Sequence, residues 1–204
     1  MLPGWSASRG LRTGATYTGS RFMKKAVHCT VEVPILETER LRLRAHRLDD
    51  FPASAAMWAD PIVTRHTTGK PQTPEEVWSR LLRYIGHWAL LGFGFWAVEE
   101  KDSGEFVGEL GFADFKRELE PSLDGIPEIG WILVPRFHGK GYATEGVRAV
   151  IAWGDEHFGA IKTACLIQPE NLASIRVAEK CGYREYARST YKEHDVIMLS
   201  REGP

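Results

Sequence analysis

The apolar positions change period several times along the chain, and each change marks an element. Ile129, Trp131 and Leu133 alternate with Glu128, Gly130, Ile132 and Val134, which predicts a strand. Pro135 stops it, having no N–H for a ladder. A helical stripe follows at Ala143, Val147, Val150, Ile151, Gly154 and Phe158, and Gly159 ends it. Between strand and helix lies Arg136-Phe-His-Gly-Lys-Gly141, glycine-rich and basic.

The same reading places the remaining elements. Residues 39–46 alternate strictly, with Leu41, Leu43 and Ala45 inward and Arg40, Arg42 and Arg44 outward on a solvated face. Asp49 or Asp50 caps a helix over 51–59 that carries Pro52 in its first turn, and Asp60-Pro61 ends it. Residues 62–71 read as a loop holding Arg65, His66 and Lys70. Thr73-Pro-Glu-Glu76 starts a second helix to about Leu91, with Val77, Leu81, Tyr84, Ile85 and Trp88 inward. Strands over 93–100 and 105–115 flank the turn Asp102-Ser-Gly104, so they form a hairpin. After the 143–158 helix come a strand over 163–167, a helix over 172–180 capped by Asn171 and ended by Gly182, and closing strands over 183–191 and 196–200. The order is β-αα-βββ-α-β-α-ββ, which is α+β around a hairpin-rich sheet.

The 204 residues and 43% hydrophobic content suit one domain with a sizeable core, over 34–204. Residues 1–33 carry Arg9, Arg12, Arg21, Lys24 and Lys25 and no acid before Glu32, without an apolar stretch of the secretory kind. They read as a disordered leader or as an over-extended start with Met23 as initiator, ahead of a transit peptide. With 26 basic and 27 acidic residues the charge nearly cancels, which argues against nucleic-acid or membrane-surface binding by bulk charge. No apolar run approaches the roughly 20 residues that span a bilayer. Cys29, Cys165 and Cys181 lack C-x-x-C spacing, so they read as small hydrophobes in a reducing cytoplasm rather than a disulfide framework or a metal site.

The strand, glycine loop and helix start form an anion trap. Glycines let a ligand approach the backbone, and the first amides of a helix lack internal acceptors at the positive end of its dipole. A phosphate or pyrophosphate fits such a place, although the same turn serves elsewhere as a tight connection. The sequence is not a Walker A loop, because Gly139-Lys-Gly141 lacks the following hydroxyl residue, and it is not G-x-G-x-x-G.

Arg136-x-x-Gly139-x-Gly141 resembles the acyl-CoA signature of the GNAT N-acetyltransferase superfamily. The wider run from Glu128-Ile-Gly-Trp to Gly-Tyr-Ala-Thr-Glu145 resembles its RimJ/RimL-like, ribosomal-protein-type branch, and Thr38-Glu39-Arg40-Leu41 resembles the opening strand of the same family. Asn171-Leu-Ala-Ser174, continuing to Gly182-Tyr183, resembles the segment after the fifth strand. The resemblance covers about Leu36 to Arg201. It implies a GNAT fold: a mixed central sheet of six to seven strands, splayed between the fourth (128–134) and fifth (163–167), with helices on both faces. It implies acetyl-CoA as co-substrate and no metal. Main-chain groups of Ile132, Leu133 and Val134 would hold pantetheine. The amides of Phe137, His138, Gly139, Lys140, Gly141, Tyr142 and Ala143 would hold pyrophosphate, with charge from Arg136 and Lys140. Asn171 and Ser174 would face the cofactor from the other side. His66 and Trp88 would border the acceptor pocket, although Trp88 also suits the core and His66 a surface loop.

The implied reaction is direct acetyl transfer to a primary amine, either a protein N-terminus or a small amine. It needs a deprotonated amine, a stabilised oxyanion and a protonated thiolate. An N–H near Ile132 is the oxyanion donor, and Glu128 is the first choice of base, ahead of Glu109 and Asp114. Many relatives place a general-acid tyrosine seven residues after the asparagine, but here that position is Ala178. Ser174 is the alternative near the thiolate, and Tyr183 reads as packing. A second reading is an acyl-CoA-binding or sensor domain with little turnover, and a third is a phosphate-binding fold of another kind. A homodimer is the assembly common in families of this kind.

Overall fold

The computed structural model describes residues 32–204. Expectations for the basic leader and Cys29 lie outside the described residues. The elements are β1 (Leu36–Glu37), β2 (Leu41–Arg44), α1 (Phe51–Trp58), α2 (Pro61–Thr64), α3 (Pro74–Leu91), β3 (Phe95–Glu100), β4 (Phe106–Ala113), β5 (Glu128–Leu133), α4 (Tyr142–Phe158), β6 (Thr163–Ile167), α5 (Leu172–Lys180), β7 (Arg184–Tyr191) and β8 (His194–Arg201). They build one eight-stranded sheet ordered β1-β2-β3-β4-β5-β6-β8-β7. The extra strand relative to the sequence reading is the two-residue β1, too short to show a period.

Every neighbouring pair is antiparallel except β5 and β6, which run parallel and share only one register position, Glu128 opposite Ala164. The sheet therefore splays where the fourth and fifth strands of the sequence reading were expected to part. Side-chain parity separates the two faces. Leu110 and Phe112 of β4 lie under α4, so closely that a Cβ on Gly146 would come within 2.7 Å of Leu110. Glu109, one residue out of phase, instead meets α1 on the opposite face.

Sequence signals for helix ends hold where they are local. Thr73 Oγ1 accepts the Glu76 N–H, and the Glu76 carboxylate accepts the Thr73 N–H at 2.7 Å. Gly92 ends α3 in the left-handed region, and Asn171 caps α5. Val77, Leu81, Tyr84 and Trp88 are buried as expected, whereas Ile85 is exposed. Trp88 is a core residue whose indole N–H donates to the Phe95 carbonyl at 3.0 Å.

Three expectations fail, the first two because Arg44 finds partners on other elements. Arg44, assigned to a solvated face, is 5% exposed and forks onto both Asp50 oxygens at 2.7 Å, with Glu99 at 2.6 Å. Burial is the largest effect on its pKa and acts downward, but the hydrogen bonds and charges of Asp50 and Glu99 carry it above the usual arginine value. Asp50 is thereby taken by Arg44 and the Arg47 amide and makes no side-chain cap to α1. Asp60-Pro61 does not simply end α1: the Asp60 carboxylate accepts the Ile62 N–H at 2.8 Å and starts α2, whose last three residues take the place of the first residues of the expected 62–71 loop. No helix among the described residues is long and apolar enough to cross a membrane.

Candidate active site

The splay leaves backbone groups of β5 unpaired. Val134 N–H donates to Val107 O at 2.9 Å, and antiparallel hydrogen-bonded pairs recur every second residue. In the observed register, Ile132 and Gly130 therefore turn their amides toward β4, opposite Glu109 and Gly111. Trp131 and Leu133 turn theirs toward β6, beyond the point where the two strands pair. The Leu133 carbonyl already accepts His138 Nε2–H at 2.8 Å. This alters the sequence expectation: among 132–134, Ile132 and Val134 spend their N–H groups on β4, and the groups left open among the described residues are the Trp131 amide and carbonyl and the Leu133 amide.

The loop shows a similar shift. Pro135–Phe137 form a 3₁₀ turn, so the Phe137 and His138 amides donate to Val134 and Pro135 carbonyls at 3.0 Å. They are not available to a ligand in this arrangement. From Gly139 to Thr144, six consecutive N–H groups have no acceptor among the described residues, and Glu145 N–H is the first to bond back, to Gly141. Gly139 and Gly141 have φ of 74° and 85°, where a side chain is strained, and that left-handed geometry turns the chain into α4. Asn171 and Thr73 cap their helices with side-chain oxygens, but Gly141 offers none to α4. Arg136 and Lys140 are exposed beside this run; Arg136 reaches Glu105 at 3.3 Å. Tyr142 is buried, with its hydroxyl donating to Glu100.

Glu128, Glu109 and Asp114 occupy distinct surroundings. The Glu128 carboxylate is held by Arg117 in a two-point pair at 2.6 and 2.8 Å, at the end of β5 that still pairs with β6. Asp114 is bound to Lys116 at 2.7 Å near the surface. Glu109 is 1% exposed and lies opposite Ile132, at the level of the open part of the splay. Its oxygens accept Ser54 Oγ–H at 2.5 Å and Trp58 Nε1–H at 2.9 Å, and it has no ion pair among the described residues. Glu109 and Glu128 share a face, separated by the Gly111–Gly130 pair, roughly 13 Å along the strand. Sequence reading missed Ser54 and Trp58. Their i, i+4 spacing put both donors on one face of α1, but their acceptor lay 51 and 55 residues away.

Around this face, Arg80 stacks on Trp58 at 3.7 Å and His46 stacks on Tyr84 at 5.1 Å between ring centroids. Both His46 ring nitrogens are covered and have no hydrogen-bond partner among the described residues. Burial lowers its pKa; the charges of Glu109 and Asp50 oppose this, and Arg44 reinforces it. His66, which the sequence offers as a surface-loop residue or a neighbour of the acceptor, bonds Gln168 at 3.3 Å.

On α5, Asn171 Oδ1 accepts the Ser174 N–H at 3.2 Å, while the Ser174 hydroxyl makes no hydrogen bond among the described residues. Ala178 is fully buried. Tyr183 is buried too, its hydroxyl bonded to Thr163 at 2.7 Å, and burial raises its pKa despite that bond. Cys165 and Cys181 are buried free thiols. No group of three or more metal-ligating side chains occurs among the described residues.

These features match known proteins. Residues 40–184 match the family model for the acetyltransferase (GNAT) domain. The uncharacterized protein YkkB of Bacillus subtilis strain 168 is 37% identical over 170 residues, 80% of this chain and 92% of that protein. A solved acetyltransferase from Agrobacterium tumefaciens strain C58 superposes with a TM-score of 0.72 at 27% identity, covering 83% of this chain and 95% of the other. The ribosomal-protein-S5-alanine acetyltransferase of Vibrio fischeri shares the fold, with a TM-score of 0.65 at 19% identity over 84% and 97% of the two chains. The chain belongs to the GNAT family of acetyltransferases, enzymes that draw their acetyl group from acetyl-CoA.

Proposed function

We propose that the protein transfers an acetyl group from acetyl-CoA to a primary amine, and that Glu109 receives the amine. The observation that carries this reading is the Glu109 carboxylate itself. It is buried beside the open part of the splay and, among the described residues, hydrogen-bonded only by neutral donors. A buried carboxylate held by neutral donors keeps lone pairs that can accept an N–H of an ammonium group brought against it. Glu128 already has Arg117 as its counter-ion and sits where the strands close.

In this reading the run of free amides from Gly139 to Thr144 cradles the pyrophosphate of acetyl-CoA, at the positive end of α4. The Trp131 and Leu133 main chain holds the pantetheine arm as an added strand would. Acetyl-CoA supplies the activated thioester. Glu109 takes one proton from the substrate ammonium, so that the amine nitrogen can bond to the thioester carbon. A Trp131 or Leu133 N–H stabilises charge on the carbonyl oxygen as that bond forms and the carbon–sulfur bond breaks. The second ammonium proton ends on the CoA sulfur, with the Ser174 hydroxyl as its bridge. An ammonium and acetyl-CoA thus give an amide, free CoA and one proton released to solvent. The acceptor is a protein N-terminus or a small amine.

Acetyl-CoA turnover against peptides with different N-termini, polyamines and aminoglycosides tests the reading. Turnover with any of these amines that falls in E109Q supports it. CoA binding with no turnover across the panel, or full turnover in E109Q, overturns it.

A further inference from the structure

The opening strand motif and the end of the loop motif are one device. Arg40 and Glu145 lie 105 residues apart, yet the Arg40 guanidinium meets the Glu145 carboxylate at 2.6–2.7 Å. The Arg40 backbone N–H adds a bond to Glu145 at 2.9 Å, and the Thr38 hydroxyl donates another at 2.6 Å. Arg40 Nη1–H also donates to the Lys140 carbonyl at 2.9 Å. The guanidinium covers the Tyr142 ring at 4.3 Å. Arg40 therefore touches residues 140, 142 and 145, within and just beyond the run of free amides.

Glu145 poses an electrostatic difficulty that this arrangement resolves. An acid in the first turn suits the dipole of α4. It also places a negative charge one residue beyond amides that face an anion. Burial opposes its ionisation, but the Thr38 hydroxyl and the Arg40 amide and guanidinium outweigh that and hold its carboxyl below the usual range, so it is charged at neutral pH.

We propose that Arg40 is a positioning residue for acetyl-CoA, cancelling the Glu145 charge at the α4 N-terminus so that the Gly139–Thr144 amides present a net positive face to the pyrophosphate. Arg40 and Glu145 need not touch the ligand for this. The proposal rests on the reading of that run as the pyrophosphate cradle.

The test compares acetyl-CoA with S-acetylpantetheine, which lacks the pyrophosphate, in the wild type, R40M and R40M/E145Q. In R40M the Glu145 carboxylate keeps the Thr38 hydroxyl and the backbone N–H of residue 40, and thermal melting checks that the fold persists. The expected result is a rise in KM for acetyl-CoA of about tenfold in R40M at low salt, with kcat within about twofold of wild type. The rise shrinks as salt is added. kcat/KM for S-acetylpantetheine stays at the wild-type value, and R40M/E145Q regains most of the lost affinity for acetyl-CoA. Equal losses on both donors, or a double variant no better than R40M, overturn the charge-cancelling role. A wild type that uses both donors equally well overturns the cradle reading first, and this inference with it.

Discussion

The indole N–H of Trp58 donates to Glu109 Oε2 at 2.9 Å, while Ser54 satisfies Oε1, so the carboxylate is fixed by two neutral donors from successive turns of α1. Neutral donors orient a carboxylate without neutralising it. On this basis E109Q is expected to lower kcat by about 10²–10³-fold, the usual weight of a positioned base, with KM for acetyl-CoA little changed. Steady-state kinetics with acetyl-CoA and a competent amine measure both parameters. E128Q is expected to act mainly on stability, by about 2 kcal/mol, because it leaves the partly buried Arg117 uncompensated. Urea denaturation of E128Q checks this.

G141A is expected to raise KM for acetyl-CoA severalfold and to cost about 1 kcal/mol of stability, because alanine is strained at a φ of 85°. G139A should behave alike: a Cβ there meets nothing within 4 Å, so its cost is conformational rather than steric. Kinetics paired with thermal melts separate the two contributions.

Asn171 and Ser174 should separate cleanly. N171A loses the side-chain cap of α5 and should cost about 1 kcal/mol. S174A keeps the backbone N–H that Asn171 binds, so its melting temperature should hold. If the Ser174 hydroxyl bridges the proton to sulfur, S174A lowers kcat without that loss of stability. Melting curves and kcat values for the two variants read this directly.

His46 gives a pH dependence of stability. Burial depresses its folded pKa below the ordinary 6.5, so just below pH 6.5 the unfolded chain binds a proton that the folded protein refuses. Stability should fall as pH drops through that window, by up to about 1.4 kcal/mol per pH unit, and this contribution vanishes above pH 7. In H46Q the slope from pH 6.5 downward should flatten. Denaturant melts at pH 7.5, 6 and 5 check it; an unchanged slope would count against a proton-refusing His46.

How much of this was readable in the chain follows from where the partners lie. The glycine loop, its helix and the Asn171 cap were legible because each signal falls within a few residues. The run of free amides begins two residues later than the sequence predicts, since Pro135 opens a 3₁₀ turn that consumes the Phe137 and His138 N–H groups. Alternation puts Arg44 outward, whereas Asp50 and Glu99 close over it from other elements, which no local pattern shows. Sequence favours Glu128 as base ahead of Glu109, because nothing local tells where along the splay each acid lies. Only the register, which sets Glu109 opposite Ile132 and Glu128 opposite Ala164, tells the open end of the splay from the closed one.

The splay between β5 and β6 also bears on how this protein can change. Its open groups are backbone amides and a carbonyl, which every residue but proline carries. Exchanging the side chain of Trp131 would alter packing and leave that edge chemically the same. Mutation can thus rework the neighbouring faces, while the hydrogen-bonding groups of this edge are inherited almost regardless of the residues that spell it.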